Sequence, residues 1–330
     1  MTRHYLTVDD LSAGELLALL DRADEHRRDR RTRDPLAGRT VGLLFEKPST
    51  RTRVSFEVAV TELGGTPLVL SSRDLQLGRG ETVADTARVL SRYVHALVVR
   101  TFAQERLEQL AAAGSIPIIN ALSDHSHPCQ VLADLQTVRA RLGALAGVRL
   151  TYVGDGNNVA HSLLRAGALT GMQVTVVTPP DHAPDPAVVA AATATARDAG
   201  GSITLSTDPA VGVKDAQVVY TDVWASMGQE DEHAARVERF RGYQVNADLM
   251  RLAAPDAMVL HCLPAHRGEE ITDEVIDGPR SAVWDQAENR LHAQKALLEL
   301  LLSGPAPASS SDVGGHTSRA SSSDSGRHTS

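Results

Sequence analysis

The densest group of anion-binding side chains in the sequence is Ser49-Thr50-Arg51-Thr52-Arg53. It follows the apolar run 41–45 and opens an amphipathic stretch, the pattern of a strand running into a helix start. A helix start presents unpaired N–H groups and the positive end of the helix dipole, and hydroxyls plus a planar guanidinium add donors that fit phosphate oxygens. Read alone, the stretch also fits a Ser49 or Thr50 helix cap with both arginines in solvent. Arg100-Thr101 ends a second apolar run, 96–99. His127-Pro128-Cys129-Gln130 follows a third, 116–119, and again starts a helix, with proline suited to the first turn. His125 competes with His127 as a ligand contact. Three successive strands thus bring donors to one sheet edge, the usual ligand position in parallel α/β sheets.

The later motifs are of a different kind. Val153-Gly154-Asp155-Gly156-Asn157-Asn158-Val159 has the outline of a dinucleotide loop, but Val159 stands where a third glycine is needed. The next strand also runs into Thr178-Pro179-Pro180 without an acidic residue. A tight turn offering Asn158 to a small ligand fits better, with a purely structural turn as the alternative. Asp222, after the run 217–220, could pair with an amino group or simply cap a helix, and Ser226-Met227-Gly228 follows it. Cys262, in His261-Cys262-Leu263-Pro264, is a candidate nucleophile or ligand contact tuned by His261 or His266; a buried inert thiol is the alternative.

Elements must hold these residues in place. Short apolar runs at 41–45, 67–70, 96–99, 116–119, 149–153, 173–177, 203–205, 217–220, 258–260 and 282–284 predict strands. Amphipathic stretches between them, at 51–63, 82–91, 103–113, 128–142, 159–170 and 186–199, predict helices. The alternation predicts an α/β fold with two doubly wound parallel-sheet domains of similar architecture, 1–142 and 147–285. Helices over 8–31 and 286–302 look peripheral, the second able to return to the first domain and link the halves. Residues 303–330 are rich in Ser and Gly with one Val, so their composition predicts a disordered tail.

Composition removes several function classes. The 330 residues are 42% hydrophobic and 22% charged, enough for two cores. A net charge of −8 argues against general nucleic-acid binding. No apolar run is long enough to span a membrane, and the first residues lack the apolar core of a signal peptide. Two cysteines without metal-ligand spacing give no disulfide framework, so a cytoplasmic location is expected.

Taken in order, Ser-Thr-Arg-Thr-Arg at 49–53, His-Pro-Cys-Gln at 127–130, Asp-Val-Trp-x-Ser-Met-Gly at 222–228 and His-Cys-Leu-Pro at 261–264 resemble the aspartate/ornithine carbamoyltransferase family, its ornithine branch in particular. The resemblance covers about residues 1–302. It implies transfer of the carbamoyl group of carbamoyl phosphate to the δ-amine of L-ornithine, giving L-citrulline and phosphate, with no metal or organic cofactor. A sister enzyme acting on putrescine or acetylornithine is the nearest alternative, and a dehydrogenase binding NAD a distant one. Ser49, Thr50, Arg51 and Thr52 are then implied to hold the phosphate, with Arg100, His127, Pro128, Cys129, Gln130, Cys262, Leu263 and Arg290 completing the carbamoyl phosphate site. Arg100, His127 and Cys262 carry the catalytic roles. Asn158, Asp222, Ser226 and Met227 match ornithine-binding positions. Gln76 matches a loop that the family lends to a neighbouring subunit's site, which implies a homotrimer or a multiple of trimers.

Overall fold

The computed structural model describes residues 2–30, 34–71, 80–225 and 233–302. Gln76, Ser226, Met227 and the segment 303–330 lie outside the described residues.

In chain order, the first half comprises α1 (Ala13–Arg28), β1 (Thr40–Phe45), α2 (Thr50–Glu62), β2 (Thr66–Ser71), α3 (Val83–Leu90), β3 (Ala96–Arg100), α4 (Gln104–Ala113), β4 (Ile118–Leu122) and α5 (Pro128–Leu142). Its four strands are parallel in the order β2-β1-β3-β4. β3 is buried along its whole length, as a parallel strand covered on both faces must be. α5 ends at Gly143, whose φ of 80° favours a residue without Cβ.

The second half comprises β5 (Arg149–Val153), α6 (Asn158–Leu169), β6 (Gln173–Val177), α7 (Pro186–Asp198), β7 (Ser202–Ser206), α8 (Pro209–Val213), β8 (Val218–Thr221), α9 (His233–Phe240), α10 (Ala247–Met250), β9 (Met258–His261), α11 (Asp273–Ile276) and α12 (Val283–Leu302). Its strands are again all parallel, in the order β7-β6-β5-β8-β9. In each sheet the order reverses once, between β1 and β3 in the first and between β5 and β8 in the second. Beyond such a reversal the connections leave on opposite faces, and a crevice opens at the carboxyl edge.

Two expectations are corrected. Residues 282–284 are not a strand: Ser281 makes only an isolated bridge to Val259, Ala282 N–H donates to the Val259 carbonyl at 2.9 Å, and α12 begins at Val283. Ala282 and Val283 are buried while Trp284 faces out, a short apolar run whose period could not separate strand from helix start. The expected helix 8–31 is interrupted as well. Val8–Asp10 forms a single tight turn, Leu11 is extended, and Ser12 caps α1 by accepting from the Glu15 N–H. Nor is α1 peripheral, since Leu16, Leu19, Leu20 and Ala23 are buried in the main core.

α12 packs on α1, α2 and α5 and reaches β9. A buried polar chain accompanies the apolar contact. Gln286 donates to Asp134 Oδ1 (2.7 Å) and the Tyr220 hydroxyl (3.1 Å), and accepts from the His261 N–H (2.9 Å). Asn289 donates to the Thr137 hydroxyl at 2.8 Å. Lys295, also buried, donates to Glu62 at 3.1 Å and to the Arg30 carbonyl at 2.9 Å. Gln286 therefore joins a helix of the first half to two strands of the second.

Asp134 sits at the centre of that chain, and burial raises its carboxyl to about 7 against donation from Gln130 and Gln286. Between its ordinary value of 3.8 and about 7, the folded chain holds a proton that the unfolded chain releases. Stability should therefore fall as pH rises through that window, and the loss should be complete above it. In Asp134→Asn this contribution disappears. Urea midpoints of variant and native chain should shift in the variant's favour between pH 4.5 and 7.5, whereas parallel profiles would place the proton elsewhere.

Candidate active site

The crevices of the two sheets face one another across a cleft of about 600 Å³. On its first wall, α2 points its N-terminus into the cleft. Ser49 caps it, its hydroxyl accepting the Thr52 N–H at 3.3 Å, so the helix-cap reading of Ser49 holds. Ser49, Thr50, Arg51 and Thr52 all line the cleft, as do Arg100 from the end of β3 and His127 from the start of α5. Arg290 reaches in from α12, donating to Gln130 Oε1 and to the Thr52 hydroxyl, both at 3.0 Å. Gln130 in turn donates to Asp134 at 2.9 Å.

None of Arg51, Arg100 and Arg290 has a carboxylate within ion-pair distance among the described residues. Buried Nε atoms of Arg100 and Arg290, and Nδ1 of His127, have no hydrogen-bond partner there either. Burial, and then the charges of Arg290 and Arg51, push the Arg100 guanidinium down to about 10, which leaves it protonated at neutral pH. Burial also lowers Arg290, and Arg51 adds to it. The same enclosure, with all three guanidiniums nearby, holds the His127 imidazole well below its usual range. It is therefore a neutral ring at pH 7, able to donate a hydrogen bond but not a surplus proton. Concentrated positive charge with spare donors is the electrostatic form of a small-anion site.

The opposite wall comes from the second sheet. The turn after β5 brings Asp155, Gly156, Asn157 and Asn158 to the cleft. A Cβ on Gly156 would lie 2.3 Å from the Pro184 backbone nitrogen, so this glycine serves loop packing and not a pyrophosphate. Asn157 caps α6 and donates to Asp222 Oδ2 at 2.9 Å, while Asn158 donates to the Ser123 carbonyl at 2.6 Å, bridging the two halves. Asp222 Oδ1 accepts from the Val223 N–H and from the Cys262 thiol, each at 2.8 Å. Enclosure and the Asp222 carboxylate push that thiol well above its ordinary range, so it is an S–H donor and not a thiolate.

Leu263 beside it has φ of 58°, which is unfavourable for a branched side chain. Its N–H is held by His261 Nδ1 at 2.8 Å, and His261 Nε2 meets the buried Glu270 carboxylate at 3.0 Å. His261 thus fixes the backbone after Cys262 and does not act as the thiol's base.

Eleven of the residues singled out from sequence therefore meet at one cleft: Ser49, Thr50, Arg51, Thr52, Arg100, His127, Asn158, Asp222, Cys262, Leu263 and Arg290. Three do not line it. Pro128 offers its carbonyl to the Tyr5 hydroxyl (3.3 Å), and Gln130 acts through Arg290. The Cys129 thiol, pushed up to about 12 by burial, donates to the Asn120 carbonyl at 3.2 Å and is an inert core group. His125 packs on the His161 ring, centroids 5.3 Å apart, and leaves the cleft to His127.

Sequence reasoning passed over Lys47, Asp124, Asp155, Asn157 and His161. Lys47 is buried, pairs with Asp124 and lies 4.2 Å over the Phe102 ring. Its place between strand end and helix start was the signal that could have found it. Asp124 and His161 gave no such signal.

Comparison with known proteins matches both halves of the chain to one family. Residues 3–140 match the carbamoyl-P binding domain of aspartate/ornithine carbamoyltransferases, and residues 146–301 match the Asp/Orn binding domain. The ornithine carbamoyltransferase of Acidothermus cellulolyticus is 59% identical over 303 residues, covering 92% of this chain and 97% of that protein. The solved ornithine carbamoyltransferase of Pyrococcus furiosus is 53% identical with a TM-score of 0.89, over 92% of this chain and 98% of that one. A solved N-acetyl-L-ornithine transcarbamylase variant also superposes, with a TM-score of 0.82 at 32% identity over 90% of this chain and 99% of that one. From both domain matches and these relatives, the chain belongs to the aspartate/ornithine carbamoyltransferase family.

Proposed function

We propose that the chain transfers the carbamoyl group of carbamoyl phosphate to the δ-amine of L-ornithine, releasing L-citrulline and phosphate. The observation that carries this reading is the cluster of three arginines without carboxylate partners among the described residues, beside a neutral buried histidine. The α2 N-terminus, Arg51 and the Ser49–Thr52 hydroxyls take the phosphate. Arg100 and His127 donate to the carbamoyl oxygen, and Arg290, aimed by Gln130 and Thr52, closes the anion site.

The neutral amine attacks the carbamoyl carbon, forming the C–N bond and a tetrahedral oxyanion. Charge moves onto the oxygen faced by Arg100 and His127, where fixed donors are worth most. Collapse breaks the carbon–oxygen bond to phosphate as the amine proton passes to a phosphate oxygen, so hydrogen phosphate leaves as a dianion into the guanidinium cluster. Asp222 attracts the amino acid's ammonium group, and the Cys262 thiol with the Leu263 backbone orients the attacking nitrogen. Ser226 and Met227 complete the amino-acid side of this reading, and Gln76 belongs to it as the contribution of a neighbouring subunit in a trimer. The Gly154–Asn158 turn does not favour the NAD reading, because Gly156 is occupied by loop packing and Val159 is buried where a third glycine would stand.

Substrate choice is tested by citrulline formation across ornithine, acetylornithine, putrescine and aspartate. Ornithine should be the strongly preferred acceptor, and comparable turnover of putrescine would remove the assignment.

Arg51→Ala should lower kcat/KM by about 10²–10³ with an unchanged far-UV spectrum, the loss typical of one preorganised donor. Exchanging its subunits with those of Gln76→Ala should restore about one quarter of the sites if neighbours share them in a ring. Activity no higher than the mean of the parents, with exchange verified, would place both residues in one chain's site.

Cys262→Ser should keep measurable turnover with a raised KM for ornithine, because the thiol orients and does not attack. A carbamoyl–cysteine adduct found by mass spectrometry during turnover would overturn that role.

A further inference from the structure

Outside the cleft, one group of side chains among the described residues has the composition and spacing of a metal site. His233 opens α9, and His266 and Glu269 lie in the loop leaving β9. Glu269 Oε2 is 3.0 Å from His233 Nε2 and 3.6 Å from His266 Nδ1. One ligand atom from each residue falls within 4.8 Å of the other two. Around a four-coordinate ion with bonds near 2.1 Å, neighbouring ligand atoms stand roughly 3.3 Å apart, so small side-chain rotations close the geometry.

We propose that His233, His266 and Glu269 form a binding site for a divalent transition metal of the zinc class. Two imidazoles and one carboxylate favour zinc, cobalt or nickel over magnesium or calcium, which take oxygen ligands. The side chains are 40%, 43% and 29% exposed, so an ion reaches them from solvent and a water fills the remaining position. The loop is already fixed in place. Gly268 N–H donates to the Ile271 carbonyl at 2.9 Å, and Gln244 Nε2 donates to the carbonyls of Gly268 (2.8 Å) and Glu269 (2.9 Å).

The site is also connected to the cleft. The His266 N–H donates at 2.6 Å to the Glu270 oxygen that meets His261, the residue holding Leu263. On the other side, Arg236 of α9 reaches Asp155 in the cleft wall at 3.0 Å. A bound ion would therefore tie the first turn of α9 to the segment after Cys262. This inference stands on the three side chains and does not depend on the catalytic reading.

The test uses tag-free, chelator-treated full-length protein titrated with Co²⁺ and followed by its visible ligand-field absorption and by calorimetry. Native chain and Cys262→Ser should bind one ion alike. His233→Ala and Glu269→Gln should bind it more than about tenfold more weakly, with unchanged thermal midpoints in the metal-free state. Saturating Zn²⁺ should slow amide exchange in 233–240 and 266–270 of the native chain and of Cys262→Ser, but not of His233→Ala or Glu269→Gln. Absence of saturable Co²⁺ binding, or equal binding by native chain and His233→Ala, would overturn the site. Loss confined to Cys262→Ser would also overturn it, placing the metal on Asp222, His261 and Cys262.

Discussion

Three guanidiniums kept close to one another, with no carboxylate paired to them among the described residues, repel, and the rest of the architecture has to hold them in spite of it. At an effective dielectric near 20, two like charges cost about 4 kcal/mol at 4 Å and less as they separate. Arg100 is held by its place at the end of a fully buried strand, and Arg51 by the first turn of a capped helix. Arg290 is held by Gln130 and Thr52, neutral groups that orient it without neutralising it. A carboxylate partner would stabilise the free protein and compete with the anionic substrate. Leaving the repulsion to be relieved by a bound anion makes the site selective for one.

The same field sets the state of its neighbours. The depressed imidazole of His127 follows from burial beside positive charge and gives a neutral donor rather than an acid. On the other wall, the raised Cys262 thiol follows from enclosure beside negative charge. The arginine cluster lies on one wall and the Asp222 carboxylate, holding the Cys262 thiol, on the other.

Joining the walls is the task of α12 and a few buried polar links. Gln286 contacts Asp134 of the first half and both Tyr220 and His261 of the second, while Asn158 reaches the Ser123 carbonyl across the cleft. Such links are directional and fail if either half shifts, so they fix the spacing of the walls more sharply than apolar contact does. Arg290 sits on the same helix, one turn beyond Gln286. The helix that fastens the halves thus also completes the anion site.

Much of this was present in the sequence. Strand–helix alternation determined two parallel sheets, because a parallel strand buried on both faces needs a continuous apolar run and a helix to return. The donors at Arg51, Arg100 and His127 were legible because each sits at the end of such a run or at the helix start that follows it, and in a parallel sheet those positions share an edge. Where the period was too short to read, the sequence misled: 282–284 is as apolar as a strand yet begins a helix. Cys129, inside a matching motif, proved to be a core thiol because a helix start has an inward face as well as a cleft face. The meeting of the two walls was decided only by tertiary structure. Arg290 lies 238 residues from Thr52, and no local pattern reports that their side chains touch. The same holds for the Asp222–Cys262 contact, the Lys47–Asp124 pair and the neutrality of His127, which depend on burial and on charges brought near by folding.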